Sequence, residues 1–311
     1  MRIGIVDLDT SHPQNWVPIE RALGHQVVGV WDGGSVHPAG YAAQFAQEHN
    51  IPRVYGALAE MVPEVDCAIL HGCNWDTHIP LARPFVEAGV AVLADKPLAG
   101  NLRDLRQLRV WAAQGARIAG GSSLRFCVET RDWLVLPVAE RGTPHTALCG
   151  CAVDEFNYGI HAYAMLLGIM GLGVHSVQHL GQGVQRRILL HWADGRMGFV
   201  IVGAAAAWIP FYATVITERT VVHYQPDAGS LYRALLEATL PYLSGEVSQP
   251  PVSLDALLEP ELCALAARRS LREGDRTVGL SELREEDGGY DGASFAEEYR
   301  RARYPQVIPS A

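Results

Sequence analysis

The first 120 residues alternate short β-branched runs with stretches of helical spacing, and nothing else in the sequence restricts the fold as much. Arg2–Val6, Gln26–Trp31, Val65–Leu70, Val90–Ala94 and Ala116–Ala119 predict strands, with Val54-Tyr55 as a brief further one. Pro13–Leu23, Tyr41–His49, Ile79–Ala88 and Leu102–Ala113 predict the helices between them. Gly24, Asn50 and Gly89 stop the first three, and Asn101 caps the last. Apolar strands joined by helices of about ten residues imply a parallel sheet covered on both faces. Crossovers of this kind are right-handed, so the predicted fold class is α/β with a doubly wound sheet.

A chain of 311 residues leaves room for a second domain, at about 150 residues each. The expected division is 1–120 and 121–311. Hydrophobic residues make up 49%, which excludes disorder over most of the length. The 25 basic and 34 acidic residues give a net charge of -9 without any basic cluster, which argues against nucleic acid and anionic membrane as partners. Six scattered cysteines, none in C-x-x-C, point to a reducing, cytoplasmic compartment. They read as small buried hydrophobes, with Cys73 the one worth testing for reactivity. Asp7 and Asp9 break the first apolar run, so no signal peptide is expected. The uncharged windows Met197–Ile216 and Phe156–Gln185 are interrupted by glycine, proline or histidine and are expected inside a water-soluble core.

In a doubly wound sheet, ligands sit beyond the carboxyl ends of the strands. Those ends are Asp7–His12, Asp32–Gly34, His71–His78 and Asp95–Pro97. The run Asp7-Leu8-Asp9-Thr10-Ser11-His12-Pro13 admits three readings. Thr10 or Ser11 caps the next helix with Pro13 in its first turn. Alternatively, their hydroxyls meet a phosphate. In the third reading, Asp7, Asp9 and His12 hold a divalent metal with His71 or His78. Lys96 follows a buried strand, and Pro97 restricts it to extended geometry.

Three stretches carry a family resemblance. Asp66–His78 (DCAILHGCNWDTH), Leu93–Leu98 (LADKPL) and Gly159–Gly171 (GIHAYAMLLGIMG) together resemble the Gfo/Idh/MocA oxidoreductases. The resemblance implies a Rossmann-type dinucleotide-binding domain over 1–120. It further implies a C-terminal α+β domain with an open, mainly antiparallel sheet, matching the β-rich Arg187–Trp192 and Gly198–Val202. It implies NAD as cofactor, with Asp32 on the adenosine ribose favouring NAD over NADP. Cofactor contacts would come from Asp7, Asp9, Thr10, Ser11, His12, Asp32, His71, Asn74, His78, Asp95, Lys96 and Pro97. Lys96 would polarise the reacting oxygen and His161 would take the hydroxyl proton, with Asn157 or Asp154 nearby. Arg125 and Tyr158 would meet the substrate.

The chain departs from the family at specific places. The glycine fingerprint after the first strand is replaced by Asp7, Asp9 and His12. A carboxylate ~5 Å from a phosphate at an effective dielectric of ~20 costs about 3 kcal/mol. Asn157 stands where the family has an acid, and Ala164 where it often has Asp. The leading expectation is an NAD-dependent oxidoreductase acting on a hydroxyl-bearing carbon of a sugar, cyclitol or similar polar metabolite, without a metal. The alternative is a non-redox descendant: a small-molecule-binding protein, a lyase or isomerase, or a metal-dependent enzyme using Asp7, Asp9 and His12. Met197–Ile216 is the expected contact of a homodimer or homotetramer formed through the C-terminal sheet.

Overall fold

Parallel pairing of the N-terminal apolar runs creates the layer on which the site is built. The computed structural model describes residues 1–305. Its first half contains β1 (Arg2–Val6), α1 (His12–Ala22), β2 (Gln26–Trp31), α2 (Tyr41–Glu48), α3 (Leu58–Met61), β3 (Cys67–Leu70), α4 (His78–Glu87), β4 (Ala91–Ala94), α5 (Leu102–Ala113) and β5 (Ile118–Gly120). The strands run parallel in the order β2-β1-β3-β4-β5, so the order reverses between β1 and β3. Every residue of β3, β4 and β5 is buried, as apolar strands covered on two faces require. Val54-Tyr55 does not make the expected strand. Val54 forms one isolated bridge to Val30, while the Tyr55 ring fills the space a side chain on Gly29 would need.

The second half contains α6 (Val128–Val135), α7 (Val138–Arg141), β6 (Pro144–Gly150), α8 (Ile160–Met170), β7 (Val174–Gln182), β8 (Arg186–Trp192), β9 (Met197–Val202), β10 (Tyr212–Thr217), β11 (Val221–Tyr224), α9 (Leu231–Ser244), α10 (Leu254–Arg272), β12 (Val278–Gly279) and α11 (Gly292–Arg303). Its seven strands order as β11-β10-β6-β9-β8-β7-β12, antiparallel except for β6 beside β9. Alternation along β8, β9 and β10 buries Ile188, Leu190, Val200, Val202, Ala213 and Val215 on the helix-covered face. The Met197–Ile216 window is thus two strands and a loop. Among the described residues no helix is long and apolar enough to cross a membrane.

The two halves share their cores. Leu235, Leu236, Leu240 and Leu243 of α9 pack on Ile3, Ile69, Leu93 and Ala119 of the first sheet. Each such burial contributes roughly 1.5–3 kcal/mol. Glu261 of α10 accepts a hydrogen bond from the Leu98 amide at 3.1 Å, tying α10 to the loop after β4. The segment after Arg284 is mostly exposed, but Tyr290 is buried, its ring stacked 3.9 Å from Phe156. From there α11 runs over the strand ends: Ala296 packs with Cys73 and Val36, and Tyr304 meets the His37 ring.

Candidate functional site

The turn after β1 keeps a glycine-like backbone without glycine. Asp7 has φ of 64°, the left-handed region that aspartate tolerates better than most residues. Its carboxylate points into the protein. Oδ1 accepts from the Gly33 amide at 2.8 Å, and Oδ2 lies where a Cβ on Gly72 would collide. Asp9 likewise accepts from the Cys73 amide at 2.9 Å, and its other oxygen is buried without a partner. The two acids therefore staple the ends of β2 and β3 to the turn after β1. Burial, reinforced by Asp9, pushes Asp7 up to about 7; burial pushes Asp9 up to about 6. Neither joins His12, which corrects the expected grouping of Asp7, Asp9 and His12 around a metal. Thr10 accepts from the His12 amide, while Ser11 occupies the helix-cap position without a side-chain bond. Of the two expected caps, Thr10 is the one engaged, and Pro13 stands in the first turn as expected.

His12 turns toward β4 instead. Its Nδ1 contacts Asp95 Oδ2, and His71 Nδ1 lies 3.7 Å from the same oxygen. Asp95 Oδ1 accepts from the Lys96 amide at 2.7 Å. Burial would raise the Asp95 carboxyl, but His12 and His71 hold it well below the ordinary carboxylate range. The Lys96–Pro97 peptide bond is cis. The Lys96 ammonium donates to both the backbone carbonyl and Oδ1 of Asn157, each at 3.1 Å. Asn157 thus reaches Lys96 from a segment 61 residues away.

His161, in the first turn of α8, has Nδ1 2.7 Å from Ser122 Oγ. Burial, then the nearby Lys96 charge, keeps its pKa well below the ordinary histidine value. His12, Lys96, Tyr158, His161 and Tyr232 line a cavity of about 180 Å³, closed on one side by Trp208, Pro210 and Phe211. Tyr158 stacks on Phe211 and meets His161 edge-on.

Other expected site residues lie elsewhere or act as braces. His78 is wedged between the carbonyls of Gly72 and Leu98, at 2.9 and 3.2 Å. Asn74 accepts from the Asp76 amide and caps the turn before α4. Asp32 is half-buried at the end of β2, and its Oδ1 accepts from the Gly34 amide at 3.3 Å. Asp154 accepts from the Phe156 and Tyr158 amides and so shapes the loop before α8. Arg125 does not line the cavity of Lys96. It faces a separate one with Phe126, Leu134 and Ala234, under the charges of Glu259 and Glu261. Trp75 is core, donating to the Tyr290 carbonyl. Cys73 is buried, and burial with neighbouring Asp9 drives its thiol up, the opposite of a reactive cysteine. Sequence reasoning missed Ser122, Trp208, Phe211 and Tyr232. None belongs to a motif, and only Trp208, in an uncharged stretch, is conspicuous by composition.

Residues 1–119 match the family described as oxidoreductase family, NAD-binding Rossmann fold. The chain is 37% identical over 86 residues to trans-1,2-dihydrobenzene-1,2-diol dehydrogenase of Danio rerio, covering 27% of this chain and 24% of that one. It is 33% identical over 166 residues to the enzyme of the same name from Oryctolagus cuniculus, covering 50% and 48%. The matches thus span between a quarter and a half of these relatives. Over most of its length the fold resembles scyllo-inositol dehydrogenase of Lactobacillus casei with bound NAD(H) and scyllo-inositol. That likeness has a TM-score of 0.74 at 15% identity, covering 91% of this chain and 99% of the other. A probable dehydrogenase from Thermotoga maritima gives 0.78 at 16% identity, covering 91% and 100%. At such identities these likenesses show a common fold.

Proposed function

We propose that the chain, whose residues 1–119 match the Gfo/Idh/MocA oxidoreductase family, is an NAD-dependent oxidoreductase acting on a hydroxyl-bearing carbon of a polar, polyhydroxylated metabolite such as a cyclitol or sugar. The single observation that carries the reading is the convergence of Lys96 and His161 on one cavity beyond the carboxyl ends of the strands. NAD is supported by residues at both ends of the crevice. Asp32 follows β2, the place where sheets of this kind bind a ribose diol, and Lys96 lines the cavity that would take the substrate. Between them, the carboxylates of Asp7 and Asp9 are aimed at the Gly33 and Cys73 amides.

When bound, the nicotinamide supplies the hydride acceptor or donor. The protein's own residues handle the proton and the oxygen. A His161 Nδ1–H donating to Ser122 Oγ leaves the Nε2 lone pair as the acceptor for the substrate hydroxyl proton. Its lowered pKa keeps the imidazole neutral near pH 7, the form a general base needs. Lys96 uses two of its three N–H bonds on Asn157, leaving the third for the reacting oxygen. Asn157 positions this cation without neutralising it, unlike the carboxylate it replaces.

The test is titration with NADH followed by fluorescence and thermal stability, then a screen of cyclitols and sugars with NAD at 340 nm. Fluorescence enhancement and a raised Tm are expected, with turnover lost in Lys96→Met. No response at millimolar NADH would turn the reading toward a non-redox binding protein or lyase built on the same cavity.

A further inference from the structure

We propose that His12, His71 and Asp95 form a binding site for one divalent first-row transition-metal ion whose remaining coordination positions open to the Lys96 cavity. The ligand atoms, one from each residue, all lie within 4.8 Å of one another. They come from the start of α1, just after β1, and from the residues that follow β3 and β4, held in register by the parallel sheet. Such placement presets a site more firmly than ligands on a mobile loop.

An independent observation points to a missing ligand. His71 is fully buried, yet neither ring nitrogen has a hydrogen-bond partner. Buried polar atoms are rarely left so, and an orphaned imidazole aimed at a carboxylate and a second imidazole is explained by a cation between them. Neighbouring groups fit that role. Asp95 Oδ1 is engaged by the Lys96 amide, which orients the carboxylate and leaves Oδ2 toward the two imidazoles. Trp16 stacks on His12 and meets His71 edge-on, walling the site on one side. On the other side His12 borders the cavity, where a water or substrate oxygen can complete the coordination. Two imidazoles and one carboxylate suit Zn²⁺, Fe²⁺, Co²⁺ or Mn²⁺; Mg²⁺ and Ca²⁺ prefer all-oxygen sets. The assignment goes beyond hydride transfer and does not depend on it.

The experiment uses full-length protein stripped with a chelator and titrated with Co²⁺ and Zn²⁺ in the absence of nucleotide. Expected are one equivalent of Co²⁺ with visible d–d absorption, its displacement by Zn²⁺, and a raised Tm with either ion. His71→Ala weakens binding at least ~100-fold, beyond the usual loss from a supporting group. Because His71 is deeply buried, His12→Gln, at the cavity edge, is measured beside it with circular dichroism as the folding control. His191→Ala, on the second sheet, leaves binding unchanged. Absence of binding at millimolar metal overturns the proposal, and so does binding undiminished in both ligand variants. A metal-free protein that still enhances NADH fluorescence separates this failure from failure of the oxidoreductase reading.

Discussion

Asp7 combines a left-handed backbone with a carboxylate that links two strands, and its buried position makes its charge expensive. Its pKa is about 7 in the folded chain against an ordinary 3.8. Between those values the folded state keeps a proton that the unfolded chain releases, so stability falls as pH rises toward 7. Asp7→Asn retains the acceptor for the Gly33 amide and removes the titration. Urea melts should show the variant losing less stability than the parent between pH 4 and 7. At pH 8 it gains up to about 4 kcal/mol, the bound set by three pKa units. Parallel stability curves would mean that Asp7 does not hold a proton. The same chemistry bears on the cofactor: with Asp7 and Asp9 neutral, a pyrophosphate meets less repulsion, so NAD should bind more tightly at pH 6 than at pH 8. At the other end of the crevice, His161→Asn should lower kcat by ~10²–10⁴ while leaving NADH binding intact. In the parent, the acid limb of kcat/KM should lie below the ordinary histidine value, following the depressed His161 pKa.

At the scale of elements, α11 is the unexpected neighbour of the crevice. It begins where Asp76 accepts from the Gly292 amide and reaches the loop after β2, where Tyr304 pairs with His37. Its Ala296 covers Cys73, whose amide holds Asp9. If the dinucleotide spans Asp32 and Lys96 as proposed, it would compete with α11 for these loops. Saturating NADH should therefore raise deuterium uptake over 292–303 relative to buried α8, and unchanged or slower exchange there would place the nucleotide on another path. This part of the molecule was hard to read in the sequence, because the segment around Tyr290 is polar and its one aromatic finds a partner, Phe156, far along the chain. The strands were legible because β-branched runs buried on both faces leave few alternatives. Val54-Tyr55 failed that logic, since a dipeptide can bridge once and then give its ring to packing. Lys96, after a buried strand, and His161, in an apolar helical run, stood out only through their places in the family resemblance. Arg125 misled because the buried acids that face it, Glu259 and Glu261, lie on α10, more than a hundred residues away. The His12–Asp95 pairing was hidden for the same reason: adjacency across parallel strands is fixed by sheet order, which local spacing does not encode.

Among the described residues, one face of the second sheet is covered by α8 and α10 and the other has no helix packed over it. On the second face the alternation places Leu148, Leu189, Phe199, Ile201 and Ile216 half-buried, with Leu148 and Leu189 both paired beside Phe199. Five apolar side chains on adjoining strands form a contiguous patch of the kind that marks a subunit contact. A second copy related by a twofold axis would match it, because an isologous interface needs only a self-complementary surface. The loop joining β9 to β10 runs from this sheet to the site, carrying Trp208, Pro210 and Phe211 to the cavity wall, and Trp208 is 65% exposed in the single chain. Pairing of sheets would steady both strands that anchor the loop and so couple assembly to the cavity. Light scattering should find a homodimer or its multiple at micromolar concentration. Phe199→Glu should give a folded monomer, since Phe199 points away from the helix-covered core. On the proposed reading, that monomer should show a raised KM for the hydroxylated substrate with NADH affinity unchanged, because the β9–β10 loop borders the cavity of Lys96 and His161. A monomeric parent would remove the interface, and a dimeric Phe199→Glu would move it to another surface.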